Sequence, residues 1–327
     1  MEKIVISYGN ISTAPLLSTK ERGAVCTIGH FDGVHLGHQH VIRRMRELAE
    51  ERGMDTTIAV TFDRHPRTLF DETFVPKMLS TLDERCHLLS LTGIDVCAVL
   101  QFDREMASMT ARDFMEKILR DTLNVRLLLL GYDNRFGKRN AEEGFEDYVR
   151  YGKELGIEVI ECDKMSLNSD ETVSSTHIRE LLTDGYVDEA MKCLGRPYML
   201  EGTVVEGYQE GRKLGFPTAN ITIDKYKIIP SGGVYAVKVR VEGSMTSLHG
   251  MMNIGRRPTY GSNDVTLETH IFRFDDRIYG KRLRVEIHKR LRNEQRFPSA
   301  YKLAEQLRED AKAAEEALSP SQMCAER

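Results

Sequence analysis

The chain has 327 residues, 41% of them hydrophobic, and a formal net charge of -4 at pH 7. That length favours two domains over one core, and the apolar content excludes a disordered chain. The charge balance excludes the concentrated basic surface of a nucleic-acid binder, and no stretch approaches the roughly 18 consecutive apolar residues of a membrane-spanning helix.

Met1–Ser7 lacks the longer apolar core of a secretory signal. The cysteines, Cys26, Cys86, Cys97, Cys162, Cys193 and Cys324, are scattered without a C-x-x-C pair. They are expected to be reduced thiols, packed as small hydrophobes in a cytoplasmic protein.

In the first half, short apolar runs alternate with helical patterns. Ala24–Ile28 reads as a strand. From His38 onward Val41, Ile42, Met45, Leu48 and Ala49 recur at helical spacing. Further strands are expected at Thr57–Phe62, Val96–Leu100, Arg126–Leu130 and Val159–Cys162, with helices at Leu82–Leu91 and Ala111–Leu119 between them. Strand alternating with helix predicts a parallel sheet covered on both faces. The second half has period two instead. Thr203–Glu206, Ala219–Ile223, Val234–Val241, Leu248–Asn253, Leu267–Phe272 and Leu283–Leu291 are strand-like, separated by glycine turns. They predict an antiparallel barrel or sandwich. Ser299 is placed as the N-cap of a closing helix with Leu303, Leu307, Ala311, Ala314 and Leu318 as its stripe. The period changes near Thr183–Gly202, and the boundary is placed near residue 185, giving domains 1–185 and 186–327.

Between the first strand and first helix stands Gly29-His30-Phe31-Asp32-Gly33-Val34-His35-Leu36-Gly37-His38. Glycines let backbone approach a ligand closely, and a helix N-terminus offers free N–H groups to phosphate. His35 and His38 are placed to donate to a phosphoryl group as its charge shifts in a transition state. Two other readings stand beside this one: a glycine turn that happens to hold histidines, and a transition-metal site from His35, His38 and His40. The second lacks a completing Cys, Asp or Glu cluster. Later, Ser174, Ser175 and Thr176 offer hydroxyls at a helix start, and Arg179 offers a cation for phosphate. Phe62 and Phe136 offer apolar rings, or simple core packing.

These residues carry a resemblance. H-x-G-H after a first strand resembles the nucleotidylyltransferase superfamily, and Gly29–His38 resembles its FAD synthetase branch. Phe62-Asp63-Arg64-His65-Pro66, Gly131-Tyr132-Asp133-Asn134-Arg135-Phe136-Gly137 and Val173-Ser174-Ser175-Thr176-His177-Ile178-Arg179 resemble further motifs of that branch, in order. The resemblance implies a Rossmann-like domain that adenylylates FMN with ATP. It makes His35, His38 and Arg179 catalytic. It assigns Gly29, Phe31, Asp32, Gly33, Gly37, Ser174, Ser175 and Thr176 to ATP and its phosphates, and Phe62, His65, Pro66, Asp133 and Phe136 to the flavin.

The chain lacks the G-x-x-x-x-G-K-[ST] of a P-loop kinase. The second half carries Gly211-Arg212-Lys213-Leu214-Gly215-Phe216-Pro217-Thr218-Ala219-Asn220, Gly233-Val234-Tyr235-Ala236-Val237, Asn253-Ile254-Gly255-Arg256-Arg257-Pro258-Thr259 and Leu267-Glu268-Thr269-His270. These strings resemble the riboflavin kinase family, which implies a small antiparallel barrel. They make Glu268 the base that takes a proton from the alcohol, Thr218 and Asn220 the ligands of Mg²⁺, and Gly211, Lys213 and Gly215 part of a loop over ATP. By alternation alone Glu268 reads first as a solvent-facing strand carboxylate, and the resemblance reverses that reading. The implied substrates are riboflavin, FMN and ATP, with no nucleic acid, membrane or obligate protein partner.

Two positions depart from these patterns. His30 stands where the FAD synthetase branch has a small or amide residue, and Arg273 where the kinase family commonly has an acidic one. Two competing readings follow: a nucleotidylyltransferase for a pantetheine, nicotinamide or polyol phosphate, and a flavin-binding regulator with decayed sites.

Overall fold

The structure, a computed structural model, describes residues 1–9, 22–131, 136–137, 144–168, 171–207, 210–259 and 262–319. Its chain contacts divide it into two compact units, Met1–Ser175 and Thr176–Arg327.

The first unit contains strands β1 (Glu2–Ile6), β2 (Ala24–Ile28), β3 (Thr56–Phe62), β4 (Val96–Leu100), β5 (Val125–Gly131) and β6 (Glu158–Cys162), and a short hairpin of β7 (Ser166–Asn168) and β8 (Glu171–Thr172). Its helices are α1 (Leu36–Arg52), α2 (Leu82–Ser90), α3 (Arg104–Ser108), α4 (Ala111–Phe114) and α5 (Phe145–Leu155). Wide π turns over Met115–Thr122 continue α4. Among the described residues β1 to β6 form a parallel sheet in the order β1-β4-β3-β2-β5-β6.

The apolar runs are continuous because both faces are covered. Ala24, Cys26 and Ile28 of β2 join a core with Phe114, Ile118 and Tyr148. Val25 faces the other way, among Ile42, Met45 and Leu48 of α1 and Leu89 of α2. A capping box starts α2, Thr81 accepting from the Glu84 N–H and Glu84 from the Thr81 N–H, which supplies orphan donors with partners. The five described cysteines are all buried; Cys324 lies outside the described residues.

The order places the first candidate site. Chain leaving β2 builds β3 and β4 on one side, then returns to build β5 and β6 on the other. The crevice beyond the carboxyl ends of β2 and β5 is therefore a topological switch point, where ligands bind in open parallel sheets.

Helix α6 (Ser175–Asp184) spans the division between units. The second unit continues with α7 (Val187–Leu194), β9 (Tyr198–Val205), α8 (Glu210–Lys213), β10 (Ala219–Thr222), β11 (Gly233–Val241), β12 (Leu248–Thr259), β13 (Ser262–Ile271), β14 (Arg282–Arg292) and α9 (Ala300–Leu318). Among the described residues its six strands close into an antiparallel barrel, β10-β13-β12-β11-β14-β9. Closure removes the exposed edges of a sheet. Tyr235, Val237 and Val239 are fully buried, whereas Val234 and Ala236, on the alternate face of β11, pack with Ala314 and Leu318 of α9. Ser299 caps α9, its Oγ accepting from the Lys302 N–H at 3.2 Å.

Candidate active sites

In the first unit the turn after β2 is held under strain. Phe31 has φ 51° and Val34 φ 40°, left-handed values that cost about 1–3 kcal/mol each and persist only where the surroundings fix them. The fixing contacts are visible. Asp32, 3% exposed, accepts from the Leu79 and Ser80 N–H groups, both at 2.9 Å, and from Ser80 Oγ at 3.0 Å. Ser80 Oγ in turn accepts from the Gly33 N–H at 2.9 Å. The buried Phe31 ring lies beneath Gly29. Asp32 and Phe31 thus shape the turn from behind.

His35 is the N-cap of α1. Its Nδ1 accepts from the His38 N–H at 3.4 Å, which puts the proton of its neutral ring on Nε2. The two imidazoles stack with centroids 3.7 Å apart. Burial, then the neighbouring His35, His30 and Arg85, hold the His38 imidazole well below its ordinary pKa, so it is neutral at pH 7. Gly37 keeps the turn open: a Cβ on it would crowd the His35 ring at 3.1 Å. His40 turns away to Arg43, with Nδ1 3.0 Å from the guanidinium. Among the described residues no group of three His, Cys, Asp or Glu could hold a metal ion.

The serine motif, distant in sequence, returns to this turn. Ser175 Oγ donates to the Asp32 carbonyl at 3.0 Å, and Val173 O would lie 3.5 Å from a Cβ on Gly37. Ser174 is half-buried, and Thr176 is exposed. Thr176 and Arg179 follow on α6 within the second unit.

Phe62 ends β3 half-buried. It is stacked with His30 at 6.5 Å and edge-on to Phe102 at 5.4 Å. His65 caps the short turn that begins at Pro66, accepting from the Arg67 N–H at 3.2 Å, and its ring lies 5.4 Å from His30. Phe62 and His65 therefore gather around His30. Phe136 is elsewhere: it is 9% exposed, packed between Phe114 and Tyr148 in the core. Asp133 lies outside the described residues.

Sequence reasoning passed over Arg85. This α2 residue is 1% exposed, and its Nη1 donates to the His30 carbonyl at 2.7 Å and to Thr61 Oγ1 at 3.2 Å. An arginine in a helix ordinarily signals a solvated face, and no spacing announces a buried one.

In the second unit a cavity of about 520 Å³ opens between the barrel and α9. Strand register explains its lining. Asn220 of β10 is opposite Glu268 of β13, Glu268 opposite Asn253 of β12, Asn253 opposite Val234 of β11, and Val234 opposite Arg292 of β14. Paired residues share a face, so the register brings a carboxylate between two amides in one row. Glu268, Asn253, Val234 and Arg292 line the cavity with Phe216 and Thr218. Asn220 stands at the row's end with its amide against Gly207. Glu268 is half-buried rather than solvent-facing.

The glycine segment reaches the same place. The Phe216 N–H donates to the Gly211 carbonyl at 2.8 Å, and a Cβ on Gly211 would lie 2.3 Å from Phe216 O, so only glycine allows that fold. His270 Nδ1 meets the Pro217 carbonyl at 2.7 Å, anchoring the segment to β13. Burial lowers the His270 pKa, against the effect of that contact. Thr218 also lines a second, smaller pocket of about 70 Å³ with Arg212, Asp275 and Arg277. Thr218 thus stands between two pockets. Lys213 and Gly215 are exposed. Arg273 does not line either pocket; its side chain is 86% exposed and pairs with Glu315 at 3.1 Å.

The far wall of the larger cavity is pinned by a buried ion pair. Asp310 of α9 accepts from Arg292 Nε at 2.8 Å and Nη2 at 2.7 Å, and from Gln306 Nε2 at 3.1 Å.

The family model for FAD synthetase matches residues 17–177, and that for riboflavin kinase matches residues 194–318. A Haemophilus influenzae protein named bifunctional riboflavin kinase/FMN adenylyltransferase is 37% identical over 293 residues, 90% of this chain and 94% of that protein. The chain belongs to the bifunctional riboflavin kinase/FMN adenylyltransferase family. A Bacillus subtilis member of that name is 34% identical over 305 residues, 91% of this chain and 94% of its own length. The fold agrees with a crystal structure titled macrolide-efflux protein from Streptococcus pneumoniae, with TM-score 0.83 and 29% identity, covering 94% of this chain and 97% of that one. Among the described residues no helix is long and apolar enough to cross a membrane.

Proposed function

We propose that this chain carries out two ATP-dependent steps in succession. The second unit phosphorylates riboflavin to FMN, releasing ADP. The first adenylylates FMN to FAD, releasing pyrophosphate. The observation that carries the reading is the joining, in one chain, of a carboxylate–amide row facing a cavity and a strained helix-start turn holding paired imidazoles. The family matches support the same pair of activities.

For the kinase step, a primary alcohol attacks the γ-phosphorus and must lose its proton. Glu268 faces the cavity and takes it. The 520 Å³ cavity suits the flavin, with Phe216 and Phe297 as apolar wall; the pocket of about 70 Å³ on the other side of Thr218 is too small to enclose a nucleotide and suits a phosphate group alone. Gly211, which lines the larger cavity, belongs with Lys213 and Gly215 to the segment assigned to ATP from its motif. Thr218 Oγ1 and Asn220 Oδ1 are hard oxygen donors on either side of Ala219, a set that fits Mg²⁺. When bound, the cation offsets charge on the ATP phosphates.

For the adenylyl step, an FMN phosphate oxygen attacks the α-phosphorus of ATP and pyrophosphate leaves. His35 and His38 and the N–H groups opening α1 stabilise the charge that develops. Gly29, Gly33 and Gly37 let the backbone approach, while Phe31 and Asp32 shape the turn. Ser174 and Ser175 bind phosphate oxygens, with Thr176 assigned to phosphate and Arg179 to the departing pyrophosphate from their motif. Phe62, His65 and Pro66 form the flavin side, with Asp133 assigned there from its motif. Phe136 acts as a core ring, packed between Phe114 and Tyr148. The domain boundary near residue 185 and a cytoplasmic location complete the proposal, with small molecules as the only partners.

The test is a time course. Purified chain is incubated with riboflavin, ATP and Mg²⁺, and riboflavin, FMN and FAD are resolved by chromatography. FMN that rises and then converts to FAD is expected. Pyrophosphate release only with a pantetheine, nicotinamide or polyol phosphate would overturn the assignment of the first unit. Flavin binding without ATP turnover would mark the chain as a regulator.

A further inference from the structure

Arg85 is an expensive residue to keep. It is 1% exposed, and a buried guanidinium is disfavoured unless hydrogen bonds and opposite charge replace its water. The replacements here all belong to the turn after β2 and the strand beside it. Arg85 Nη1 donates to the His30 carbonyl at 2.7 Å and Thr61 Oγ1 at 3.2 Å, and lies 3.1 Å from His30 Nδ1. Thr61 Oγ1 donates to the same His30 carbonyl at 3.0 Å. Asp32, in the same turn, supplies the opposite charge that most favours the cation.

His30 is the junction. Its backbone belongs to the phosphate-binding turn. Its ring lies 6.5 Å from Phe62 and 5.4 Å from His65, the flavin-side residues. Whatever fixes His30 fixes the placement of the two halves of the site relative to each other. All three contacts come from one nitrogen, Nη1, so a single charged donor ties carbonyl, ring and hydroxyl together.

Resting on the reading that the first unit adenylylates FMN, we propose that Arg85, acting through His30, is a positioning residue for that reaction. It holds the phosphate turn and the flavin side in the separation that in-line attack requires. A second consequence is electrostatic. The groups that bear on His38 are His35, which stacks on it, His30 from the turn and Arg85 from α2, besides burial, and each disfavours the protonated ring. Removing the Arg85 charge therefore raises the His38 pKa, whereas keeping the charge in a different shape does not.

The experiment uses the full chain as wild type, Arg85→Met, Arg85→Lys and Arg85→Gln. FMN adenylylation kcat and KM are measured beside the riboflavin kinase rate of the same samples, and histidine-labelled protein is titrated by NMR. Arg85→Met is expected to lose about 10- to 100-fold in kcat, the usual effect of a misplacement near 1 Å, with little change in the KM for ATP and a kinase rate within twofold. Its His38 titration moves to higher pH. Arg85→Lys, which keeps the charge and an N–H donor, is expected to recover most of the kcat lost in Arg85→Met and to keep the His38 titration of the wild type. Arg85→Met within twofold of wild type in kcat overturns the proposal. So does a loss equal in Arg85→Met and Arg85→Lys with the His38 titration unmoved in both, since that marks packing alone. Should Arg85→Met fail to fold, Arg85→Gln, neutral but still polar, decides: a severalfold loss of kcat is expected, and an unchanged kcat overturns the proposal. Wild-type chain that makes no FAD from FMN would instead overturn the functional reading itself.

Discussion

Replacing Asp310 by alanine separates what the buried ion pair contributes to stability from what it contributes to binding. Asp310 is 3% exposed, and its carboxylate takes hydrogen bonds from Arg292 at 2.8, 3.1 and 2.7 Å and from Gln306 at 3.1 Å. The Arg292 side chain is 15% exposed, so little water reaches it once the carboxylate is gone. Removing one partner of a buried pair costs about 3–5 kcal/mol. For a unit of this size each kcal/mol lowers Tm by about 2–4 °C, so the second unit should melt about 6–20 °C lower. Arg292 also lines the cavity, so the KM for riboflavin should rise while FMN adenylylation at 20 °C is unchanged. Calorimetry of the full chain and steady-state kinetics of both steps measure this. A loss under about 1 kcal/mol, the value of an exposed pair, with an unchanged KM, would refute the reasoning.

Gly37→Ala places a methyl group 3.1 Å from the His35 ring; the ring must shift, and the FMN adenylylation rate should fall about tenfold with the kinase rate unchanged. Gly211→Ala drives a methyl group to 2.3 Å from Phe216 O, a backbone atom, so the reciprocal pattern is expected: kinase kcat/KM down about 100-fold and adenylylation intact. The His38 pKa in the folded chain lies below its ordinary 6.5, so below that pH the unfolded chain binds a proton that the folded chain resists. The stability this contributes is complete above the unfolded value and is lost as pH falls toward the folded pKa. Denaturant unfolding of the first unit should therefore weaken from pH 7 to pH 5, and His38→Asn should flatten that slope; an equal slope in both would count against the burial of this ring.

Much of the fold was legible because its periods are strong. β2, β3 and β4 are short runs buried on both faces, and the helix from His38 shows its stripe plainly. β1 escaped notice: two of its five residues are Glu2 and Lys3, and only Ile4 and Ile6 of the strand are buried, too few for an alternation to stand out. The helix expected over Ala111–Leu119 is there as α4 but widens into π turns through Thr122, since Met115, Ile118, Leu119 and Leu123 are all buried. β12 runs to Thr259, beyond the expected Asn253, because it pairs with β13 from Gly250 through Thr259.

The chemistry-bearing residues of the candidate sites were readable as strings, while the groups that support them were not. Arg85 and Asp310 look like ordinary helix charges, and only tertiary packing buries them. Phe136 was read as a flavin contact or a core ring, and aromatic residues carry no spacing that separates the two; the structure packs it in the core. The row Asn220–Glu268–Asn253 depends on strand register, which no single string contains.

The account stands most directly on two separate sites in one chain. Glu268→Gln and His38→Asn should be assayed side by side, from riboflavin and from supplied FMN. Glu268→Gln should lose FMN formation by about 100-fold or more and keep FAD formation from FMN. His38→Asn should do the reverse, losing about 100- to 1,000-fold in the second step alone, and the two variants mixed should again carry riboflavin through to FAD. A folded Glu268→Gln chain that loses both activities would contradict the two-site account.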